Sequence, residues 1–426
     1  MLSKLKASLY RILRRSEKYT KVDMVSLASG NFWLTGGRFI AIGSGMLLTV
    51  AFANLLSPTI FGTYKYVLAM ATIIGAFTLN GLGSAIQKAV AQGDKNGVPG
   101  AVRAAILWSL PASGIAACIG AYYFFQGNNT LGWGFIFIAT TNAISTGAGF
   151  SKSILLGQGN FRFLALSGIP RTLFPIIAII GTLFLTKNII YILFVYFLSN
   201  TVASWILYRL VLHKEKIQDD PSIAPKIIRF GTHMSVIGFA MLVSGQANQL
   251  LLWHFTGPEA LVVFALALMP VQELYGLLNN FFNIAFPRFA AKTEDELRAI
   301  IPTRLKQMFF ISFFAFLIYI VCVPYLFKYL FPKYLASIFM SQVLALIILL
   351  QPRGIFDIFI TTHGNISQRY KVVVTTQIIE FVLACALIPF FGLWGAVAGI
   401  VFSEIVRAVS FYLMYRLTNK VSVTQS

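Results

Sequence analysis

Residues 55–96 read LLSPTIFGTYKYVLAMATIIGAFTLNGLGSAIQKAVAQGDKN. A Ser57-Pro58 turn opens the stretch, an apolar span of membrane length follows, and a small basic loop with Lys88, Asp94, Lys95 and Gly97 closes it. The same layout returns two hundred residues later, where residues 256–296 read TGPEALVVFALALMPVQELYGLLNNFFNIAFPRFAAKTEDE. At that one offset Pro58 meets Pro258, Asn80 meets Asn280, Lys88 meets Arg288 and Ala91 meets Ala291. Any two membrane hairpins share some features, but matches at both ends and in the middle of one span point to an internal duplication of two halves.

Composition sets the class around this stretch. The chain is 57% hydrophobic and 11% charged, with a mean hydropathy of +0.76, too apolar for a soluble domain with a polar surface. An all-α polytopic membrane protein is expected. Its net charge of +20 then fits cationic loops lying against anionic lipid on one face better than it fits a nucleic-acid partner. Cys118, Cys322 and Cys385 all sit in apolar runs, so neither a disulfide nor a metal site is expected from them.

Residues 1–26 form a basic segment in which Leu2, Leu5, Leu9, Ile12 and Leu13 share one helical face among Lys4, Lys6, Arg11, Arg14 and Arg15. That pattern suits a helix on the bilayer surface, with a disordered tail as the alternative, and it lacks the apolar core of a cleavable signal. Apolar spans follow at about 31–55, 64–87, 102–125, 131–156, 163–186, 189–211, 230–254, 259–286, 307–331, 335–360, 371–389 and 392–416. Twelve crossings put both termini on one side. Lys and Arg crowd the loops of that side, whereas the opposite loops hold Lys187, Lys328 and Lys333, with Lys65 at a helix start. The positive-inside rule therefore makes both termini cytoplasmic. The charged connection 213–229, with Pro221 and Pro225, falls after span six, so an N-lobe over 27–212 and a C-lobe over 230–420 are expected on either side of it.

The loops of the other side are only a few residues long, leaving no room for a catalytic domain there. No phosphate-loop signature of the G-x-x-x-x-G-K-[ST] type occurs. His233, His254 and His363 do not cluster with carboxylates at metal-ligand spacing, and the Asn128-Asn129-Thr130 triplet is too common a pattern to carry weight. The chain reads as a non-enzyme.

Charge inside the spans is the informative feature. No Asp or Glu lies between Asp23 and Asp94, and none between Asp94 and Glu215. The first six helices thus carry no membrane carboxylate, yet they hold Arg38 and Arg171, with Lys65 and Lys152 nearer helix ends. An arginine within a span costs about 2.5–3.5 kcal/mol on insertion scales, so it faces a bundle interior or wet cavity, or snorkels to headgroups. Arg38 shares a stripe with Asn31, Thr35, Gly45 and Thr49, which favours the interior; Arg171 lies between Pro170 and Pro175 and leaves both choices open. Without a carboxylate to pair with, these cations await an anion from outside the chain, and guanidinium geometry suits phosphate oxygens.

The second half differs, with Glu273, Asp357, Glu380 and Glu404 in spans beside Arg353 and Arg407. Arg353 and Asp357 stand four apart, Glu404 and Arg407 three apart, so both pairs are expected as internal ion pairs. Glu273 and Glu380 lack such a helical partner. Either they bind a coupling proton or Na⁺, since a cation relieves a buried carboxylate, or they pair across helices with Arg353 or Arg407.

LLSPTIFGTY and LNGLGSAIQKAVA within Leu55–Asn96 resemble the second-helix region of bacterial polysaccharide-unit flippases, the Wzx-like members of the MOP transporter superfamily. LLGQGNFRFLALSGIPRTLF, Leu155–Phe174, resembles that family's junction between helices four and five, with a weaker counterpart at Thr361-Thr362-His363-Gly364-Asn365. The resemblance implies two six-helix lobes around a central cavity. It also implies alternating-access movement of an undecaprenyl-pyrophosphate-linked oligosaccharide across the bacterial inner membrane; no cofactor is expected, and the sequence leaves open whether the chain works alone or beside a polysaccharide polymerase and chain-length machinery. It carries no catalytic motif, so the site residues rest on charge placement. The two rivals are a multidrug exporter of the same superfamily and a polyprenyl-dependent membrane glycosyltransferase or polymerase. The acid-free first half argues against the former, and the tiny outer loops against the latter.

Overall fold

The computed structural model describes residues 24–220, 222–283, 293–363 and 366–423. The basic segment before Met24, Arg288 and Ala291 of the repeat, and Gly364-Asn365 lie outside the described residues, as do the side chains of Asn31, Asn280, Asn283 and His363.

The described chain is helical throughout, and its helices fall into two matching series. Met24–Leu55, Pro58–Ala76, Val98–Phe125, Asn129–Ala148, Phe161–Leu185 and Ile189–Lys214 make the first. The second runs through Ala224–Thr256, Pro258–Asn283, Glu294–Leu330, a segmented stretch from Ser337 to His363, and Ile366–Val423, which Gly392 at φ 54° breaks into two crossings. Among the described residues ten helical segments are long and apolar enough to cross a membrane. One of them, Arg369–Leu417, contains the Gly392 break, and Asn129–Ala148 adds a further 20-residue helix. About twelve crossings result, in the order the sequence predicts. At about 1.5 Å per residue each spans most of a hydrocarbon core.

Local chemistry fixes the joints. Asn128, Asn160 and Asn188 cap three helices, their side-chain oxygens accepting from the amides of Leu131, Phe163 and Ile190. Asn128, the first residue of the apparent glycosylation triplet, is thus a cap. Three predicted spans are interrupted, one of them, 131–156, at Gly149-Phe150 between Asn129–Ala148 and Ser151–Gly157. Span 64–87 stops at Ala76 and resumes at Leu82, because Asn80 and Gly81 turn the chain: the Asn80 amide bonds back to the Thr78 carbonyl at 2.8 Å and its side chain to the Ala76 carbonyl at 3.0 Å. Span 335–360 is divided by a 3₁₀ turn at Gln351–Arg353, where Pro352 supplies no amide donor.

The chain divides into two compact units, one of residues up to 56 with 70–242, the second of 57–69 with residues from 243 onward. In the first, Leu82, Ile86, Val98, Ile154, Leu155, Val211 and Ile227 form a buried core. Small residues set its packing: a Cβ on Gly81 would lie 2.4 Å from the Met234 and Ser235 backbone, and one on Gly157 2.6 Å from the Gln87 carbonyl. The two stretches that carry the family resemblance therefore touch through Gly157. In the second unit Leu297, Ile301, Ile355, Phe359 and Phe411 form the core. Large apolar side chains also cover the outside, among them Leu107, Trp108, Phe184, Phe310, Phe314, Ile318 and Phe390, the surface a helix presents to lipid.

Candidate functional site: charges buried in the spans

Among the described residues the membrane-length helices of the first unit carry cations and no Asp or Glu. Arg171 sits on Phe161–Leu185, where Pro175 is buried one turn on, and its Nε donates to the buried Ser204 hydroxyl of Ile189–Lys214 at 3.3 Å. Among the described residues no carboxylate lies within ion-pair distance of this guanidinium. Arg38 is half-buried on Met24–Leu55. That helix packs on the one carrying Arg171, with Gly37 against Ala165. Among the described residues the acidic side chains of this unit lie in its loops, where Asp219 pairs with Arg103 at 2.5 Å and Asp94 with Lys226 at 3.4 Å.

The other two predicted cations lie apart from these. Lys152 is exposed on the short helix Ser151–Gly157. Lys65 belongs to the second unit, its Nζ 5.6 Å from the centre of the Phe61 ring.

The second unit matches its charges. Arg353 pairs with the Glu404 carboxylate, donates to the Glu404 carbonyl at 3.2 Å, and donates to the Tyr275 hydroxyl at 2.9 Å. Arg407 donates to Glu404 at 2.7 Å and to Thr376 Oγ1 at 3.3 Å, and faces Glu380 at 3.6 Å. Two guanidiniums and two carboxylates thus form one neutral, largely buried chain. Breaking such a chain at one member costs more than building it gains, because the remaining charge is left in low dielectric.

One predicted pairing needs correction. Arg353 does not pair with Asp357; the 3₁₀ turn at Gln351–Arg353 takes Arg353 out of the helix Gly354–His363, so the four-residue spacing no longer stacks the two side chains. Asp357 is held instead by Arg369 through a bidentate contact, Nε–Oδ1 2.5 Å and Nη2–Oδ2 3.2 Å. The Glu404–Arg407 pair forms as its spacing predicts, and Glu380 takes the cross-helix partner. Glu273 is half-buried on Pro258–Asn283, and among the described residues no cation lies within ion-pair distance of it. Sequence reasoning missed Tyr275 and Thr376, which no spacing marks, and read Arg369 only as a loop cation. Among the described residues no group of three His, Cys, Asp or Glu side chains could hold a metal ion.

Residues 27–293 match the family model described as polysaccharide biosynthesis protein. The chain belongs to that family. Both Leu55–Asn96 and Leu155–Phe174 lie inside the matched range, which supports the family likeness those stretches carry. Solved structures agree on the fold. An inward-facing multidrug resistance MATE family transporter of the MOP superfamily is 16% identical with a TM-score of 0.66, covering 90% of this chain and 95% of its own. The outward-facing conformation of such a transporter is 17% identical, TM-score 0.59, over 93% and 97%. A MOP superfamily transporter from Pyrococcus furiosus, described as having a binding pocket of reverse polarity that suggests a different function, is 17% identical, TM-score 0.59, over 93% and 96%. No curated protein matches the chain. This member of the polysaccharide biosynthesis family is therefore a multi-pass membrane protein with the fold of the MOP superfamily.

Proposed function

We propose that the chain is a flippase that carries an undecaprenyl-pyrophosphate-linked oligosaccharide across the bacterial inner membrane by alternating access. The observation behind this is the uncompensated Arg171, held by a neutral hydroxyl in a unit whose spans contain no acid. A guanidinium in that position asks for a ligand that brings its own negative charge, and a pyrophosphate or acidic sugar supplies it. Arg38 on the neighbouring helix is the second anion contact, with Lys65 and Lys152 as outlying ones. The prenyl tail stays in lipid. Family membership supports the polysaccharide side of the reading, and the shared fold supports transport as its mode. A polymerase and chain-length machinery are the partners that would consume the delivered unit.

In this reading the coupling ion is H⁺ or Na⁺, taken by Glu273 or Glu380. Glu273 is the stronger candidate, because Glu380 already faces Arg407. Multidrug export is the weaker reading, since an organic cation would meet Arg171 rather than a carboxylate. Purified protein in liposomes tests the proposal: labelled lipid-linked oligosaccharide should cross chemically unchanged. Chemical alteration of the sugar, or movement of organic cations instead, would overturn it.

A further inference from the structure

Arg171 continues the buried stripe of its helix. Leu164, Pro175, Ile179 and Leu183, at helical spacing from it, are buried, whereas Leu166, Phe174, Ile177 and Phe184 are exposed as a lipid face is. Its partner Ser204 is only 6% exposed. Arg171 and Ser204 each stand ten residues from the basic ends of their helices, Phe161 and Lys214, about 15 Å into a hydrocarbon core of about 30 Å. The pair therefore lies near the midplane, deeper than an arginine side chain is long. Transporters built from repeats place their substrate sites at that depth.

The contact between them uses one side of the guanidinium. Nε donates to Ser204 Oγ at 3.3 Å, and among the described residues Nη1 and Nη2 have no partner. A guanidinium meets an oxyanion along the edge of Nε and one Nη, or along the edge between its two Nη groups. Ser204 occupies the first edge, so the second is the one presented. Because the hydroxyl is neutral, it steers the group without cancelling its charge, as a carboxylate at the same place would do. A buried oxygen on a helix is also a rigid anchor for a long, flexible side chain.

We infer that Ser204 is the positioning residue of an oxyanion site: it holds Arg171 by Nε and turns the Nη1–Nη2 edge to the phosphate of the cargo, a role that rests on the anion-carrying function proposed above. Farnesyl pyrophosphate, a short polyprenyl pyrophosphate, is the probe, with farnesol as the uncharged control, both bound to full-length protein in lipid nanodiscs. Wild type should bind the pyrophosphate more tightly than farnesol. Ser204→Ala should weaken pyrophosphate binding about tenfold, the scale of one hydrogen bond to a charged group, and leave farnesol binding unchanged. Ser204→Thr keeps a hydroxyl and should bind like wild type. Ser204→Asp should pair with Arg171 and erase the preference for pyrophosphate over farnesol. In an Arg171→Lys background, Ser204→Ala should change binding by less than about twofold, because lysine has no Nε edge to align. Pyrophosphate affinity equal in wild type and Ser204→Ala, a preference retained in Ser204→Asp, or a tenfold loss that persists beside lysine would each overturn the role of Ser204 and leave the anion reading standing. Wild-type protein that binds farnesyl pyrophosphate no better than farnesol would overturn both.

Discussion

Glu380 and Arg407 face each other at 3.6 Å across the Gly392 break, while Arg407 makes its closer contact, 2.7 Å, with Glu404. Arg407 is thus shared by two largely buried carboxylates, with Arg353 as the second partner of Glu404. Arg407→Ala leaves Glu380 without a partner and Glu404 with only Arg353. Removing one member of a buried pair costs about 3–5 kcal/mol, and a lower Tm, measured in detergent, is expected. Glu380→Gln should cost less, because the longer contact is the one it loses.

The ion-coupling assignment separates the two acids. Glu273→Gln should abolish the dependence of transport on an imposed ion gradient, whereas Glu380→Gln should keep that dependence at reduced stability. Transport rates in liposomes with the gradient intact and collapsed give the comparison. Equal gradient dependence in both variants and in wild type would remove coupling from both residues.

Asp357 provides a test of side-chain pairing. A double-mutant cycle between Asp357→Asn and Arg369→Gln should return a coupling of about 0.5–1 kcal/mol, the upper range for partly exposed pairs. The same cycle between Asp357→Asn and Arg353→Gln should return about zero within the usual 0.3–0.5 kcal/mol error of additivity. Chemical or thermal unfolding of the four variants supplies both numbers.

The Asn80-Gly81 break is fixed by a tertiary contact as well as by the local bonds of Asn80. The Gly81 amide donates to Ser235 Oγ at 2.9 Å, and a Cβ there would strike the Met234–Ser235 backbone. Gly81→Ala should therefore destabilise by about 1–3 kcal/mol, the range for overpacking. Gly245→Ala, on a helix position with open space around it, should stabilise by about 0.4–1 kcal/mol. Thermal melts of the two variants, moving in opposite directions, check the account.

The connection after the sixth helix is clasped to its own unit. Gln218 donates its amide to Asn96 Oδ1, the Asp220 amide bonds to the Asn96 carbonyl at 2.9 Å, and Ile223 packs where a Cβ on Gly97 would sit. Asn96→Ala combined with Asp219→Ala should expose 213–220 to protease, seen as faster tryptic cleavage after Lys214 and Lys216 with little change in Tm.

Fold and crossing order were legible in the sequence because hydropathy acts over twenty residues at a time. The interruptions at Asn80-Gly81 and Gln351–Arg353 were not, since both depend on backbone contacts or turn geometry inside apolar runs. Site reading divided the same way. The absence of acids around Arg171 was visible in a one-dimensional scan. Helical spacing found Glu404–Arg407 and failed for Arg353–Asp357, because it assumes one continuous helix where the chain has a 3₁₀ turn. Partners supplied by distant helices, Arg369, Tyr275 and Ser204, left no periodic trace.

The unit-one cation without an acid carries the functional account, and charge reversal addresses it directly. Arg171→Glu and Arg171→Lys proteins, matched for insertion in liposomes, should differ sharply in the rate at which lipid-linked oligosaccharide crosses: near background for glutamate, a substantial fraction of wild type for lysine. A glutamate variant that moves the cargo at the wild-type rate would contradict the account.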